Sequence, residues 1–406
     1  MQPHFRFAGF MGRRVHLGVT GSIAAYRALD LLRALLAADL TVSATLTDAG
    51  ARFVTPLSFE ALGAAPVYGA MFGAAGQGEG AFGHLEPGQE AAALVIAPAT
   101  ANMLAKLAHG LADDMLSCQA LAFPGPRIVA PAMNPRMWQA PATRRNWDAL
   151  ADLGFIRVDP ESGGVACGDT GTGRLAPLEE ILTATLRAVS PQDLAGRRVL
   201  VTLGPTREPW DGVRFWSNPS SGTMGACMAM AAHLRGAEVT VVAGPVDLVF
   251  PSGIRVVPVH TALEMHEACL DLWPSMDIAC ATAAVADFRP EPHGPGKFKK
   301  SGAADLTVTF LPNPDILKAM GQSKRDGQRL IGFAAETGDP RAEAARKLAA
   351  KRLDLMAAND VSRQGSGFCS ATNEMFVIDA AGRAESWPVL PKTEVAWRLW
   401  DHLPLD

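Results

Sequence analysis

The sequence predicts an α/β protein made of two domains in series, each built on a largely parallel sheet. Three observations carry that expectation. Short apolar runs alternate with stretches of helical periodicity, the pattern of strands joined by crossover helices. Several of these runs end in a small polar residue or a Gly-bearing turn and pass directly into a helix, as Gly21-Ser22 does after 15–20. A polar break, Ser190-Pro191-Gln192-Asp193-Leu194-Ala195-Gly196, interrupts the series, and a fresh strand at 198–203 opens a second one. The expected domains are therefore 14–190 and 191–406.

Composition narrows the class. At 406 residues the chain has room for two to three ordinary domains, each with its own core. Apolar residues make up 48% and charged residues 19%, a globular balance. A net charge of −4 argues against a general nucleic-acid binder. No apolar run reaches the ~20 residues that span a bilayer, so no membrane partner is expected. Residues 1–12 mix charges with aromatics and lack a long apolar stretch; they read as a disordered extension, not a signal peptide, with Met11 an alternative start. The six cysteines (Cys118, Cys167, Cys227, Cys269, Cys280 and Cys369) are scattered, with no CxxC and no zinc spacing. A reducing, cytoplasmic compartment is the expectation.

In the first domain, Val15-His16-Leu17-Gly18-Val19-Thr20 reads as a buried strand, and Gly21-Ser22-Ile23 opens a helix running to Ala38. Free N–H groups at such a helix start favour an anion, although the turn is neither GxGxxG nor a P-loop. Strands follow at 40–46, ending at Thr47, and at 92–97, leading through Thr100 and Asn102 into a helix. A fourth, 127–130, runs into Pro131-Ala132-Met133-Asn134-Pro135-Arg136-Met137-Trp138. Strand ends at Gly21-Ser22, Thr47, Thr100-Asn102 and Asn134 would share one edge, which suits a mononucleotide with one phosphate such as FMN; ordinary polar loops would look the same. The Asn134 amide, set among Pro, Met and Trp, suits a carboxylate or a flat polar ring, or simply caps the next helix. Residues 73–83 are Gly-rich and read as a mobile loop ending in His84, a candidate proton handler or a structural histidine. Cys167 stands among five glycines between 163 and 173, the setting of a reactive thiol on a hinged flap. A helix pattern over 175–189 closes the domain.

The second domain repeats the theme. After the strand at 198–203, Ser220-Ser221-Gly222 starts a helix over 223–234, again with an N-terminus open to anions. Strands follow at 239–243, 278–282 and 330–333, and Asn313-Pro314-Asp315 caps a helix. The chain holds 28 Arg and only nine Lys, yet seven Lys fall between 297 and 351. A compact ammonium is one reason to keep them; a solvated face is the other. Lys297 and Lys299 alternate onto one side of an extended segment. Lys347 and Lys351 lie i,i+4 on one helix, a repelling pair that an anion would relieve, and so point to a polyphosphate.

Ten short motifs in one order identify a resemblance over nearly all the chain after Arg14. They are TGSIAAY (20–26), PATAN (98–102), PAMNPRMW (131–138) and ACGDTGTGR (166–174), then GPTREPWDGVRFWSN (204–218), AAVADFRP (283–290), KFKK (297–300), NPDIL (313–317), GFAAET (332–337) and ANDVS (358–362). The chain resembles the bacterial bifunctional phosphopantothenoylcysteine decarboxylase/phosphopantothenate–cysteine ligases of coenzyme A biosynthesis. The resemblance implies two Rossmann-like domains: a flavodoxin-like FMN-binding decarboxylase of the HFCD flavoprotein type, then a CTP-binding ligase.

By the same resemblance, the second domain would activate 4′-phosphopantothenate with CTP, and cysteine would attack the acyl-cytidylate. Asp287, Lys297, Pro314, Asp315, Ile316, Leu317, Phe333, Lys347 and Lys351 match CTP-contacting positions. Lys297 would stabilise charge during nucleotidyl transfer, and Arg214 and Asn218 would act on the acyl-cytidylate. Mg²⁺ would arrive with the triphosphate. The first domain would use FMN to oxidise the cysteinyl thiol, so that carbon dioxide leaves from an activated neighbour and 4′-phosphopantetheine results. His84 would be the base, Asn134 would hold the carboxylate and Cys167 would donate a proton. FMN contacts would come from Gly21, Ser22, Ile23, Thr47, Thr100 and Asn102. Homo-oligomers are implied: trimers or a dodecamer for the decarboxylase, dimers for the ligase. The sequence departs from the family's usual pattern at Pro87, which would shift the His84 geometry, at Thr223, where a Lys is usual, and at Phe215-Trp216. A flavoprotein that binds FMN without turnover is the other class of reading, and the presence of both His84 and Cys167 favours an enzyme.

Overall fold

The computed structural model describes residues 6–71, 82–164, 166, 168–299, 305–363, 367 and 370–404. They form two compact units, Ala8–Ser190 and, together with the segment ending at Phe7, Pro191–Asp406.

The first unit carries six strands: β1 (Arg14–Val19), β2 (Thr41–Leu46), β3 (Val67–Tyr68), β4 (Ala93–Ala99), β5 (Arg127–Pro131) and β6 (Phe155–Arg157). A hairpin of β7 (Glu161–Gly164) and β8 (Thr170–Arg174) follows. The helices are α1 (Arg27–Leu36), α2 (Asp48–Ala51), α3 (Pro56–Ala61), α4 (Glu86–Glu90), α5 (Ala101–His109), α6 (Met115–Ala122), α7 (Pro135–Gln139), α8 (Pro141–Asp152) and α9 (Leu178–Val189). The sheet order is β3-β2-β1-β4-β5-β6, all parallel. Its central strands are buried on both faces, which is why they read as continuous apolar runs. Strand order reverses between β1 and β4, so a crevice is expected outside their C-terminal ends. Leu94, Ile96, Leu116, Trp138 and Trp147 form part of the core beneath.

The second unit has β9 (Arg198–Leu203), β10 (Arg207–Pro209), β11 (Phe215–Ser217), β12 (Glu238–Ala243), β13 (Ile254–Pro258), β14 (Ile278–Ala281), β15 (Phe288–Pro290), β16 (Phe310–Pro312), β17 (Arg329–Glu336), β18 (Leu355–Asp360), β19 (Thr372–Asp379) and β20 (Ala384–Pro391). Its helices are α10 (Thr223–Leu234), α11 (Ala262–Leu272), α12 (Ile316–Gln322), α13 (Arg341–Ala350) and α14 (Lys392–His402). Eight strands make the main sheet, β13-β12-β9-β14-β17-β18-β19-β20. It is parallel as far as β18 and antiparallel from there. The reversal of order falls between β9 and β14. Two short ribbons, β10-β11 and β15-β16, stand apart from it.

Four expectations need correction. Within the leading segment, the described residues pack in place of trailing as a disordered extension: Phe7 and Phe10 are buried, and the Phe10 carbonyl accepts the Arg13 N–H. The first helix begins as a 3₁₀ turn, Ile23–Tyr26, and becomes α-helical only at Arg27. Helix α9 starts at Leu178, not at 175, because Pro177 holds its own φ and keeps Ala176 extended. The glycine-rich stretch around 163–174 is a paired hairpin, not loose chain. Of the stretch 73–83, read as a mobile loop, residues 73–81 lie outside the described residues.

Candidate functional site

At the first unit's crevice, Thr20 ties the two central strands together. Its hydroxyl donates to the Pro98 carbonyl at 2.7 Å and accepts the Thr100 N–H at 3.0 Å. The polar strand ends each cap the helix that follows. Ser22 Oγ accepts from Ala24, Thr47 Oγ1 from Gly50 and Thr100 Oγ1 from Met103. Ile23 begins the turn that Ser22 caps and is exposed, as is Asn102 in the first turn of α5. Gly21 packs so tightly that a Cβ would fall 2.4 Å from Ala49 Cβ. The edge therefore presents backbone N–H groups at close quarters, with capping side chains on either side of the reversal. That donor set fits a mononucleotide phosphate.

Asn134 caps α7 at the end of β5. Its Oδ1 accepts the Arg136 N–H at 2.8 Å, while its Nδ2 donates to Asp169 Oδ2 at 2.8 Å. The Arg136 guanidinium lies 3.3 Å from Asp169 Oδ1. A carboxylate thus sits on the Asn134 amide, supplied by the hairpin. Next to β5, the Met133 N–H donates to the Gly173 carbonyl of β8 at 2.9 Å, which docks that hairpin on the stretch before α7. Cys167, between β7 and β8, lies outside the described residues. His84 is half-buried just before α4. Pro87 sits in the first turn of α4, where its missing N–H costs nothing, so it leaves that turn regular.

In the second unit a cleft of about 410 Å³ opens at the β9/β14 reversal. Asn218, Asp287, Pro314, Asp315, Ile316, Leu317, Phe333, Lys347 and Lys351 all line it. Helix α10 points its N-terminus into this space. Its N-cap, Gly222, has φ +72°, and offers no side-chain cap, so the helix dipole is left to an incoming anion. The 283–288 loop is held by three polar residues. Asn218 Nδ2 donates to Val285 O at 3.0 Å, Ala286 N–H donates to Thr206 Oγ1 at 3.1 Å, and Asn313 Nδ2 donates to Ala286 O at 2.8 Å.

The lysine pair does not need an outside anion. Lys347 Nζ is 2.6 Å from Glu336 and 3.4 Å from Glu343; Lys351 Nζ is 2.9 Å from Asp315. Burial would lower the Lys347 pKa, but Glu336 and Glu343 carry it above its usual value. Burial likewise works against ionised Asp315, yet Lys351 and the Lys318 N–H hold it below the carboxylate range. The repulsion inferred from i,i+4 spacing is therefore neutralised within the fold, and the pair alone does not argue for polyphosphate.

Arg214 and Lys297 do not line the cleft wall. A residue that sequence reasoning passed over joins them. Asp211 accepts the N–H groups of Val213, Arg214 and Phe298 at 2.8, 2.6 and 3.0 Å, and its Oδ2 is 3.2 Å from the Arg214 guanidinium. Burial would raise its pKa; the three backbone donors and Arg214 bring it below the usual range. Phe298 turns in onto Trp210, leaving Lys297 and Lys299 exposed on either side.

Comparison with known proteins settles the family. The Flavoprotein family matches residues 10–190, and the DNA/pantothenate metabolism flavoprotein C-terminal domain family matches residues 194–404. The coenzyme A biosynthesis bifunctional protein CoaBC of Bacillus subtilis (strain 168) is 40% identical over 395 residues, 96% of each chain. The chain belongs to the coenzyme A biosynthesis bifunctional CoaBC family. The Escherichia coli (strain K12) CoaBC protein is 41% identical over 370 residues, 90% of this chain and 91% of that one. Among solved structures, a variant PPC decarboxylase complexed with pantothenoylaminoethenethiol covers 43% of this chain and 96% of its own, with 32% identity and a TM-score of 0.38.

This CoaBC member carries further cleft residues that its sequence had not singled out. Asn359, Asn373 and Lys392 reach the cleft from β18, β19 and the start of α14. Lys392 is buried and donates to the Gly367 carbonyl at 3.1 Å. The Lys-against-Arg argument reaches Lys392 if applied outside the 297–351 cluster. Thr223, in place of the family's usual Lys, lines the cleft with its Oγ1 2.8 Å from Ser221 Oγ. Phe215 and Trp216 pack on Arg207 and Phe310 and do not line the cleft. No helix among the described residues is long and apolar enough to cross a membrane.

Proposed function

We propose that this bifunctional coenzyme A biosynthesis enzyme makes 4′-phosphopantetheine in two steps, one in each unit. Residues 191–406 carry the ligase. The 4′-phosphopantothenate carboxylate attacks the α-phosphate of CTP, giving an acyl-cytidylate and pyrophosphate; the cysteine amine then displaces CMP to form the amide. The N-terminus of α10 supplies positive potential for phosphate groups in the cleft, and Lys347, Lys351 and Lys392 line it as donors, the first two exchanging their carboxylate partners for phosphate oxygens when CTP binds. Pro314, Ile316, Leu317 and Phe333 give a flat apolar wall, and Asp287 and Asp315 give polar contacts, for the nucleoside. Lys297 stabilises charge in nucleotidyl transfer, with Arg214 and Asn218 on the acyl-cytidylate. Mg²⁺ comes with the triphosphate, as part of the substrate.

Residues 14–190 carry the decarboxylase. Gly21, Ser22, Ile23, Thr47, Thr100 and Asn102 hold FMN, which supplies a reversible two-electron acceptor for the cysteinyl thiol. His84 takes a proton from the substrate, Asn134 fixes the carboxylate that departs as carbon dioxide, and Cys167 returns a proton at the end. One observation carries this assignment: the Asn134 amide and Arg136 guanidinium already hold a carboxylate, that of Asp169. The enzyme works in the cytoplasm as a homo-oligomer, with trimeric or dodecameric decarboxylase units and dimeric ligase units.

The test is incubation of the flavin-bound protein with 4′-phosphopantothenate, cysteine and CTP, or ATP in its place. Product mass, pyrophosphate and carbon dioxide are followed together. Release of pyrophosphate without carbon dioxide would remove the decarboxylase half, and flavin-bound protein that releases neither would leave a binding-only flavoprotein.

A further inference from the structure

Four polar side chains lie buried side by side inside the first unit: His16, Ser43, Thr45 and Gln119 are each at most 2% exposed. They come from β1, β2 and α6, where apolar side chains would be the cheaper filling. Every one of them is satisfied, in a single chain of hydrogen bonds. Thr45 Oγ1 donates to Gln119 Oε1 at 2.6 Å. With its one proton spent there, Thr45 accepts from His16 Nε2 at 2.8 Å, a proton that Gln119 Oε1 shares at 3.2 Å. His16 is therefore the neutral Nε2–H tautomer on the logic of this network, and its Nδ1 accepts the Ser43 hydroxyl at 2.8 Å. The Gln119 oxygen is thus committed, and its amide N–H₂ has one way to point. It donates to the carbonyl of Gly83 at 3.0 Å.

Gly83 is the residue before His84. A turned-over Gln119 amide would set oxygen against oxygen at Gly83, so Thr45 and His16 lock the orientation that holds the 83–84 peptide. The Tyr68 ring lies edge-on to His16, with centroids 5.8 Å apart. We propose that Gln119, locked by Thr45 and His16, is a positioning residue that fixes the backbone of His84 for decarboxylation. The inference rests on the reading of His84 as the base. A base displaced by about 1 Å from its substrate proton loses about a hundredfold in rate, so a backbone clamp of this kind belongs to the reaction and not only to the fold.

The full-length, flavin-bound protein tests it through a double-mutant cycle. Gln119→Leu is expected to lower the kcat of decarboxylation by about tenfold to a hundredfold with KM and flavin content held, while pyrophosphate release by the ligase half stays at the wild-type rate. Thr45→Val, which keeps shape and loses the hydroxyl, is expected to lower kcat, and Thr45→Ser to restore it. In a His84→Asn background, Gln119→Leu is expected to cost nothing further, because a misplaced base and an absent base are equivalent. Equal losses in Thr45→Val and Thr45→Ser, or a full extra loss from Gln119→Leu in the His84→Asn background, overturn the proposal. If His84→Asn keeps wild-type decarboxylation, the reading of His84 fails first. If His84→Asn is inactive and Gln119→Leu is not impaired, the positioning role alone fails. Should Gln119→Leu not fold, the Thr45 pair decides.

Discussion

Acid should loosen the first unit through one residue, His16. Its ring is fully buried among Ser43, Thr45, Gln119 and Tyr68, none of them charged at neutral pH. Burial lowers its pKa from 6.5 to about 3, and the Gln119 hydrogen bond offsets only part of that. The unfolded chain therefore takes up a proton below pH 6.5 that the folded unit refuses until about pH 3. Because the unfolded state binds more protons in that window, stability falls as pH falls, by about 1.4 kcal/mol per unit once well below the upper value. From pH 7 to pH 5 the loss integrates to about 2 kcal/mol. For a unit of this size that is a fall of about 4–8 °C in melting temperature. Carboxylates held below their usual range, such as Asp113 beside Lys106, add little until the pH drops under about 5. The assay is thermal melting of the flavin-bound protein at pH 7, 6 and 5, followed by flavin fluorescence, for wild type and His16→Gln. Whatever the variant's starting point, only its slope matters, and that slope should be nearly flat. Wild type and variant losing the same number of degrees from pH 7 to pH 5 would refute the burial argument.

Three other changes follow from the geometry. Thr20→Val keeps the shape of the side chain but leaves the Thr100 N–H without its acceptor, at a cost of about 1–3 kcal/mol; a melt and a flavin titration should show lower stability and weaker FMN retention, and an unchanged pair of values rejects the bridging role. Asp211→Ala removes the carboxylate that holds the Arg214 turn and Phe298 together, so pyrophosphate release should slow by about tenfold or more with CTP affinity preserved, whereas lost affinity with a normal rate would place Asp211 elsewhere. Glu336→Gln frees Lys347 from its nearer partner and should tighten CTP binding by up to about fivefold in a calorimetric titration; weaker binding would mean that Glu336 itself meets the nucleotide.

What was legible depended on how local the cause was. Strands β1, β4 and β5 could be read because parallel strands buried on both faces are continuous apolar runs. The polar residues at their ends, Ser22, Thr100 and Asn134, were visible because each stands between a strand and a helix and caps the latter. His16 passed as one more residue of an apolar strand, since its partners Ser43, Thr45 and Gln119 lie 27, 29 and 103 residues away. The lysine pair misled for the same reason. Spacing along α13 shows the repulsion between Lys347 and Lys351, and only folding brings Glu336 and Asp315 to relieve it. Strand β19 carried no such local signal: its burial alternates from Thr372 to Asp379, yet the buried set includes Asn373 and Asp379 and the less buried set includes Phe376 and Ile378, so its polarity does not alternate along the chain.

The double use of Asn134 decides how its variants must be read. One end of its amide caps α7, with Oδ1 accepting from Arg136, and the other end donates to a carboxylate. Asn134→Ala removes both and confounds a loss of about 1 kcal/mol of helix stability with a loss of recognition. Asn134→Asp separates them. The remaining Oδ1 still caps, and a negative charge at a helix N-terminus is worth about 0.3–1 kcal/mol, so the capping end loses nothing. At the other end a donor becomes an anionic acceptor facing Asp169 or the substrate carboxylate, and like charges at hydrogen-bond distance repel. Asn134→Asp should therefore keep its flavin and its ligase activity and accumulate 4′-phosphopantothenoylcysteine, with Asn134→Ser, which caps but cannot reach as a donor, failing in the same way. If Asn134→Asp decarboxylates at the wild-type rate, the Asp169 contact is only a hairpin fastening, and carboxylate recognition has to be sought at Arg136 instead.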